Sequence, residues 1–318
     1  MRKCLVFLSL LALLAGCKEK ISPAHIERFD RELMGVKTSG DLENVLQKNE
    51  DVTRALFGTA SSDTALIAGL FHMVQHQDAQ DFYAQAEEKF GTLGTLEESF
   101  GRAFSEIKKI YPSFKEPRLV AAFTGLQNDL VVTDSLVVIS LEAFIGPDAK
   151  YKLEEPQYIL RRYGPEYIVP TVVRMLSNAY NKVDFSRDSF TTDLIFYGKS
   201  LEFAREVLPH VEDSLIIGFT NREMQMAYEN QEVIWAHIVD RNLLNSENPA
   251  VNSKYFGERP YVGEIGPDCP GRIGQWLGWR IVELYRMQNP KVSLEDLMAN
   301  PDAAAILRGS KYRGQKDK

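Results

Sequence analysis

Apolar residues recur at three- and four-residue spacing through most of this chain, the pattern of helices that bury one face. Leu66, Ile67, Leu70, Phe71, Met73 and Val74 share one broad side of a helical wheel, and Ser62 or Asp63 can cap the helix they define, starting near Thr64. Thr95 and Glu98 have the spacing of a capping box ahead of ESFGRAFSEIKKIY. The segment YPSFKEP, with Pro112 and Pro117, then ends the helical period. After it, RLVAAFTG and VVTDSLVVISLEAFIG are short, β-branched and bounded by Gly125, Asn128 and Asp129, and they predict two or three strands. From Pro156 helices return. Ser189 or Thr191 opens DLIFYGKSLEFAREVLP, Thr220 with Glu223 forms a second capping box leading a long helix through MQMAYENQEVIWAHIVDRNLL, and Pro270 opens another. Between the last two, NSENPAVNSKYFGERPYVGEIGPD is rich in Pro, Gly and Asn, and a stretch of that length is either functional or ordered by packing. The pattern predicts a mostly α-helical α+β protein, with a helical N-terminal region over 25–115 and a body over 116–318 built from a small β-sheet and long helices.

The first twenty residues depart from this pattern. MRKCLVFLSLLALLAGCKEK begins with two positive charges, runs apolar from Leu5 to Ala15 and ends in small residues before Cys17, which is a secretory signal with an apolar part short for a membrane span. LLAGC is similar to the lipobox of bacterial lipoproteins, in which cleavage precedes the cysteine and its thiol and new amine are acylated. The expectation is a signal peptide over 1–16, lipidation at Cys17 and a polar tether over 17–24. Of three cysteines, Cys4 leaves with the signal and Cys17 carries lipid, so Cys269 has no intrachain partner. Stability then rests on a core, for which a 44% hydrophobic composition over 318 residues suffices. The formal charge of −7, which becomes −9 when Arg2 and Lys3 are lost, argues against nucleic acid as a partner and against attraction to an anionic membrane surface. Membrane attachment therefore depends on acyl chains, each buried methylene contributing about 0.8 kcal/mol.

Candidate chemistry is sparse. His72 and His76 stand four apart, the spacing of a zinc-peptidase helix, but Met73 occupies the place of its glutamate. Both imidazoles project from the polar side of the wheel and are expected in water, without a third ligand or a dry surround. His25, His210 and His237 stand alone; there is no G-x-S-x-G and no phosphate loop, and Cys269 has no base beside it in sequence. Neither a metal nor a cofactor is expected.

The most informative stretch is GPDCPGRIGQWLGWRIVELYRM. Ile273, Leu277, Ile281 and Leu284 repeat as helix, while Gly271, Gly274 and Gly278 cluster beside that stripe, each interior glycine costing about 1 kcal/mol relative to alanine. Their common side would let another backbone approach closely. Arg272, Trp276, Trp279 and Glu283 lie opposite. Either both faces are buried in a layered domain, or Arg272, Trp276 and Trp279 form an anchor patch for a partner.

With this stretch, the IW-A-x-I-V of Ile234 to Val239, the strands of Val131 to Gly146 and the H-I-x-R-F-D of His25 to Asp30, the chain resembles the GldB-like gliding-motility lipoproteins over almost its whole mature length. Cys269 stands where serine is more usual. The resemblance implies a cell-envelope lipoprotein, anchored in the outer membrane, that serves the gliding apparatus and its associated protein secretion through contacts with other envelope proteins. It also implies a zincin-like body related to gluzincin-type zinc peptidases. In that register Tyr197 and Leu201 take the two histidine positions, Gly198 takes the glutamate and Glu232 matches the third ligand, so the motif is degenerate. The residues agree: Leu194, Tyr197, Leu201, Ala204 and Leu208 form a core-facing stripe. Two other readings stay open, a zinc-dependent peptidase or other hydrolase with an unrecognised site involving Glu232 and a histidine brought in from afar, and a peptide- or glycan-binding lipoprotein using a former substrate groove.

Overall fold

The strands expected after the proline break form the middle of the molecule. In the computed structural model, which describes residues 22–187 and 189–316, β1 (Ile26–Arg28) is followed by α1 (Phe29–Met34), α2 (Ser39–Lys48), α3 (Glu50–Phe57), α4 (Thr64–Gln75), α5 (Gln77–Phe90) and α6 (Gly94–Ile110). Next come β2 (Arg118–Ala122), β3 (Leu130–Val132) and β4 (Leu136–Ser140). The remainder is helical: α7 (Gln157–Leu160), α8 (Ile168–Leu176), α9 (Phe190–Val207), α10 (Asp213–Ile217), α11 (Asn221–Glu229), α12 (Gln231–Asp240), α13 (Pro249–Phe256), α14 (Ile273–Gln288), α15 (Leu294–Ala299) and α16 (Ala303–Ser310). The expected signal peptide over 1–16 and the lipidation site at Cys17 lie outside the described residues. Among the described residues no helix is long and apolar enough to cross a membrane.

The sheet has the order β1-β2-β4-β3, parallel except for β3 at one edge. Alternation splits its side chains between two cores. Leu119, Ala121, Val137 and Ile139 join α6, α8, α9 and α14 on one face, whereas Val120, Ala122, Leu136 and Val138 join α1 to α5 on the other. A sheet covered on both faces reads as continuous apolar runs, as LVAA and LVVI do. The chain is thus a mostly helical α+β protein with a small mixed sheet. The segment 25–115 is helical apart from β1, which pairs in register with β2 at Ile26↔Leu119, so the sheet draws on residues from both sides of the proline break. Ser22–Ala24, the end of the expected tether, is held on α6: a Cβ on Gly101 would lie 2.3 Å from the Ser22 carbonyl, and the Ala24 N–H donates to the Glu97 carbonyl at 2.9 Å.

Several helix ends follow their sequence signals. Asp63 caps α4, Ser189 caps α9, and Thr220 and Glu223 form a capping box on α11. Three expectations change. The Thr95–Glu98 box does not form, because the buried Leu93, at φ 62°, serves as N-cap and α6 already starts at Gly94. The long helix after Thr220 breaks at Asn230, whose amide donates to the Met226 carbonyl, and divides into α11 and α12. Pro270 does not open α14: it is bridged to Tyr261 as extended chain, and the helix begins at Ile273. The Pro- and Gly-rich stretch before it is ordered by α13, which Asn248 caps and Pro249 starts.

One buried carboxyl sits beside the sheet. Glu142, just after β4, accepts the Thr124 N–H at 2.6 Å and the Thr124 hydroxyl at 3.0 Å, while its second oxygen is buried without a partner. Burial outweighs those hydrogen bonds and pushes its pKa from 4.5 up to about 7. The folded state then holds the proton more tightly than the unfolded one, so Glu142 stabilises the fold below pH 4.5 and loses that contribution as pH rises through 7. Glu142→Gln should remove this component. Melting curves across that window should show the parent losing stability relative to the variant, and parallel curves would contradict it.

Candidate functional site

Helix α9 runs through the interior and carries the register in which a zinc site is implied. Leu194, Leu201, Ala204 and Leu208 are buried, with Tyr197 partly so. Helix α14 crosses α9 backbone to backbone: a Cβ on Gly198 would lie 2.3 Å from the Gly278 carbonyl oxygen, and one on Gly278 only 1.9 Å from that of Leu194. The close approach expected of the glycines is therefore real. Gly271 meets the Arg259 carbonyl in the same way, and Gly274 meets the Phe256 ring. Next to Gly198, the buried Lys199 donates to the carbonyls of Lys182, Met298 and Asn300 at 2.7, 2.9 and 3.0 Å, tying α9 to the end of α15.

These residues do not fit a zinc ion. Leu201 is hydrocarbon in the core, Gly198 is consumed by the helix crossing, and Tyr197 stacks on Phe256 at 5.5 Å with its phenol pKa raised by burial. Glu232 is exposed on α12, where Gly314 backs onto its Cα. Among the described residues no three His, Cys, Asp or Glu side chains converge as a ligand set. His72 and His76 are exposed, and His76 is occupied as the N-cap of α5, accepting the Asp78 N–H. The Cys269 thiol is pushed up to about 12 by burial, far from a reactive thiolate.

Arg272, Trp276 and Trp279 are 5%, 2% and 4% exposed, so the surface that an anchor patch needs is not there. What sequence reasoning missed is the buried carboxylate that Trp279 serves. Glu202, 1% exposed, accepts the Trp279 indole N–H at 3.0 Å and pairs with Arg205 and Arg286 at 2.7 Å each. Arg205 reaches on to Glu283, and Arg286 to Glu206. Glu202 and Arg205 stand three apart on a helix, but that spacing reads equally as a surface pair.

Arg272 has a different setting. It lines a cavity of 350 Å³ together with Arg162, Arg174, Tyr163, Tyr167, Glu258 and the Ile216–Gly218 end of α10. Its guanidinium donates to the carbonyls of Ile217 and Gly218 at 2.8 and 3.0 Å. Arg162 forms a two-pronged pair with Glu258, at 2.9 and 2.7 Å, whose Oε1 also lies 3.6 Å from Arg272 Nε. Arg174, on α8, donates to Gln275 at 3.1 Å and reaches the Ile216 carbonyl at 3.5 Å. Burial first, and then the neighbouring arginines, pull Arg174 down to about 10 and Arg272 to about 9, both still charged at neutral pH.

Fold and site together define a mostly helical α+β protein whose polar interior is arginine-rich and lacks a metal-binding donor set in the expected register. The family model of the gliding motility protein GldB matches residues 17–314, and the chain belongs to that family. Comparison with curated proteins and with solved structures gave no match. Membership places the chain among gliding-motility proteins.

Proposed function

We propose that this protein is a lipid-anchored, non-catalytic component of the gliding-motility or associated secretion machinery of the cell envelope, held at the outer membrane and acting through contacts with other proteins. The observation that carries the non-catalytic part is the use of Gly198 and Leu201 as packing residues against α14 and the core, where a related peptidase would need a base and a ligand. The zincin-like ancestry belongs to this proposal too. Elemental analysis of the purified protein tests it: one tightly held zinc per chain would revive the peptidase reading.

The anchor has its own test. Cys17→Ser should leave the precursor uncleaved by the lipoprotein peptidase and free of fatty acid, detected by mass spectrometry; acylation of that variant would refute the assignment. A second reading, a lipoprotein that binds a peptide or glycan, is favoured by the arginine-lined cavity.

A further inference from the structure

We propose that the cavity between α8, the end of α10 and Arg272 binds an organic oxyanion, a carboxylate or phosphate ester carried on a small apolar body. The first argument is a count of donors. A guanidinium presents five N–H groups. Among the described residues Arg174 donates from one terminal nitrogen to Gln275 and from the other, at the limit of range, to the Ile216 carbonyl, which leaves a second N–H on each; its Nε is buried without an acceptor. Arg162 spends both terminal nitrogens on Glu258, and its Nε is likewise buried and unpartnered. Arg272 is satisfied mainly by two carbonyls.

The second argument is charge. Among the described residues Arg174 forms no ion pair, and the half-exposed Glu258 serves both Arg162 and Arg272. Asp129 also lines the cavity, but its two oxygens already accept the Tyr163 hydroxyl and the Leu130 N–H, each at 2.6 Å. Glu155 is exposed. Three arginines thus share the lining with three carboxylates, but among the described residues only Arg162 and Arg272 pair with one of them, Glu258, and Arg174 is left without a carboxylate in ion-pair range. Withdrawing guanidinium from water without a counter-charge is costly, and an oxyanion taking the spare N–H groups offsets that cost through two-pronged hydrogen bonds.

Shape supplies the rest. Gly218 has φ 73°, and a Cβ there would lie 2.6 Å from Arg162 Cδ and 3.3 Å from Arg272 Nη2, so glycine is what lets both arginines pass. Phe144, Ile159 and Leu215 add apolar wall. A volume of 350 Å³ is at the small end of ligand sites and suits one side-chain-sized body. This inference goes beyond the envelope role and stands apart from it, since the anchor and zinc tests do not bear on it.

Calorimetric titration tests it with N-acetylphenylalanine, its amide, phenyl phosphate and inorganic phosphate. At least one of the two organic acids should bind once per chain, more weakly as salt rises, and the amide should not bind. The tighter of the two acids identifies the source. Arg174→Met, close in size but uncharged, should weaken the acid about tenfold or more. Glu258→Gln keeps an acceptor for Arg162 but removes the competing charge, and should tighten binding about threefold, a sign that damage to the fold would not produce. Failure of both acids to bind, an amide as tight as the acid, inorganic phosphate as tight as either, or an unchanged affinity in folded Arg174→Met or Glu258→Gln would each overturn the proposal.

Discussion

Gly278→Ala should destabilise the protein by about 3 kcal/mol or more, although alanine is the better helix former by about 1 kcal/mol. The added methyl would fall 1.9 Å from the carbonyl oxygen of Leu194 and 2.7 Å from its carbon, and main chain cannot rotate aside as a side chain can. Relief requires moving α14 off α9, yet α9 is buried along most of its length and Gly198 holds the reciprocal contact. Gly69 is the control. It lies within α4, with nothing within 4 Å of an added Cβ, so Gly69→Ala should be neutral or stabilise by up to about 1 kcal/mol. Urea denaturation of both variants decides the matter. A Gly278→Ala midpoint at or above that of the parent would mean that the two helices do not cross as described.

Glu202→Ala should cost about 3–5 kcal/mol, the range for breaking a buried ion pair from one side. The loss exceeds the value of the contacts themselves, because Arg205, Arg286 and the Trp279 indole N–H would remain in place without their shared acceptor. Glu202→Gln retains an acceptor for the indole and should cost less. At the rim of the same network Glu206 is 47% exposed, and Glu206→Ala should change stability by no more than about 1 kcal/mol. Chemical denaturation followed by tryptophan fluorescence measures all three, and equal losses for Glu202→Ala and Glu206→Ala would show that the pairing is a surface one.

Features legible in the sequence are those set by near neighbours. Asp63, Ser189 and the Thr220–Glu223 box act within one turn of their helices, and the stripe through Leu194, Leu201 and Ala204 states its own burial. The glycines of α14 were readable as a close approach because an unexplained cost in helix propensity needs a packing reason. Illegible features depend on distant chain. Strand β1 is three residues long, too short for a period, and its partner lies beyond six helices. Pro270 has the chemistry of a helix start, but the pairing of Val262 with Cys269 holds it extended. Trp276 and Trp279 are residues that serve cores and interfaces equally well, and only the fold turns them inward. The cavity arginines come from α8, the turn after α7 and the start of α14, so no spacing announces them.

Under the proposed acylation of Cys17, the seating of Ser22 on Gly101 would set a leash length. Cys17 precedes Ser22 by only five residues, a span of about 18 Å at full extension. With acyl chains on that cysteine, the globule would ride close to the lipid headgroups with its α6 side inward, reachable chiefly by neighbours that share the same leaflet. A flexible insert after Cys17 would then widen its radius of encounter while leaving every contact of the folded body untouched.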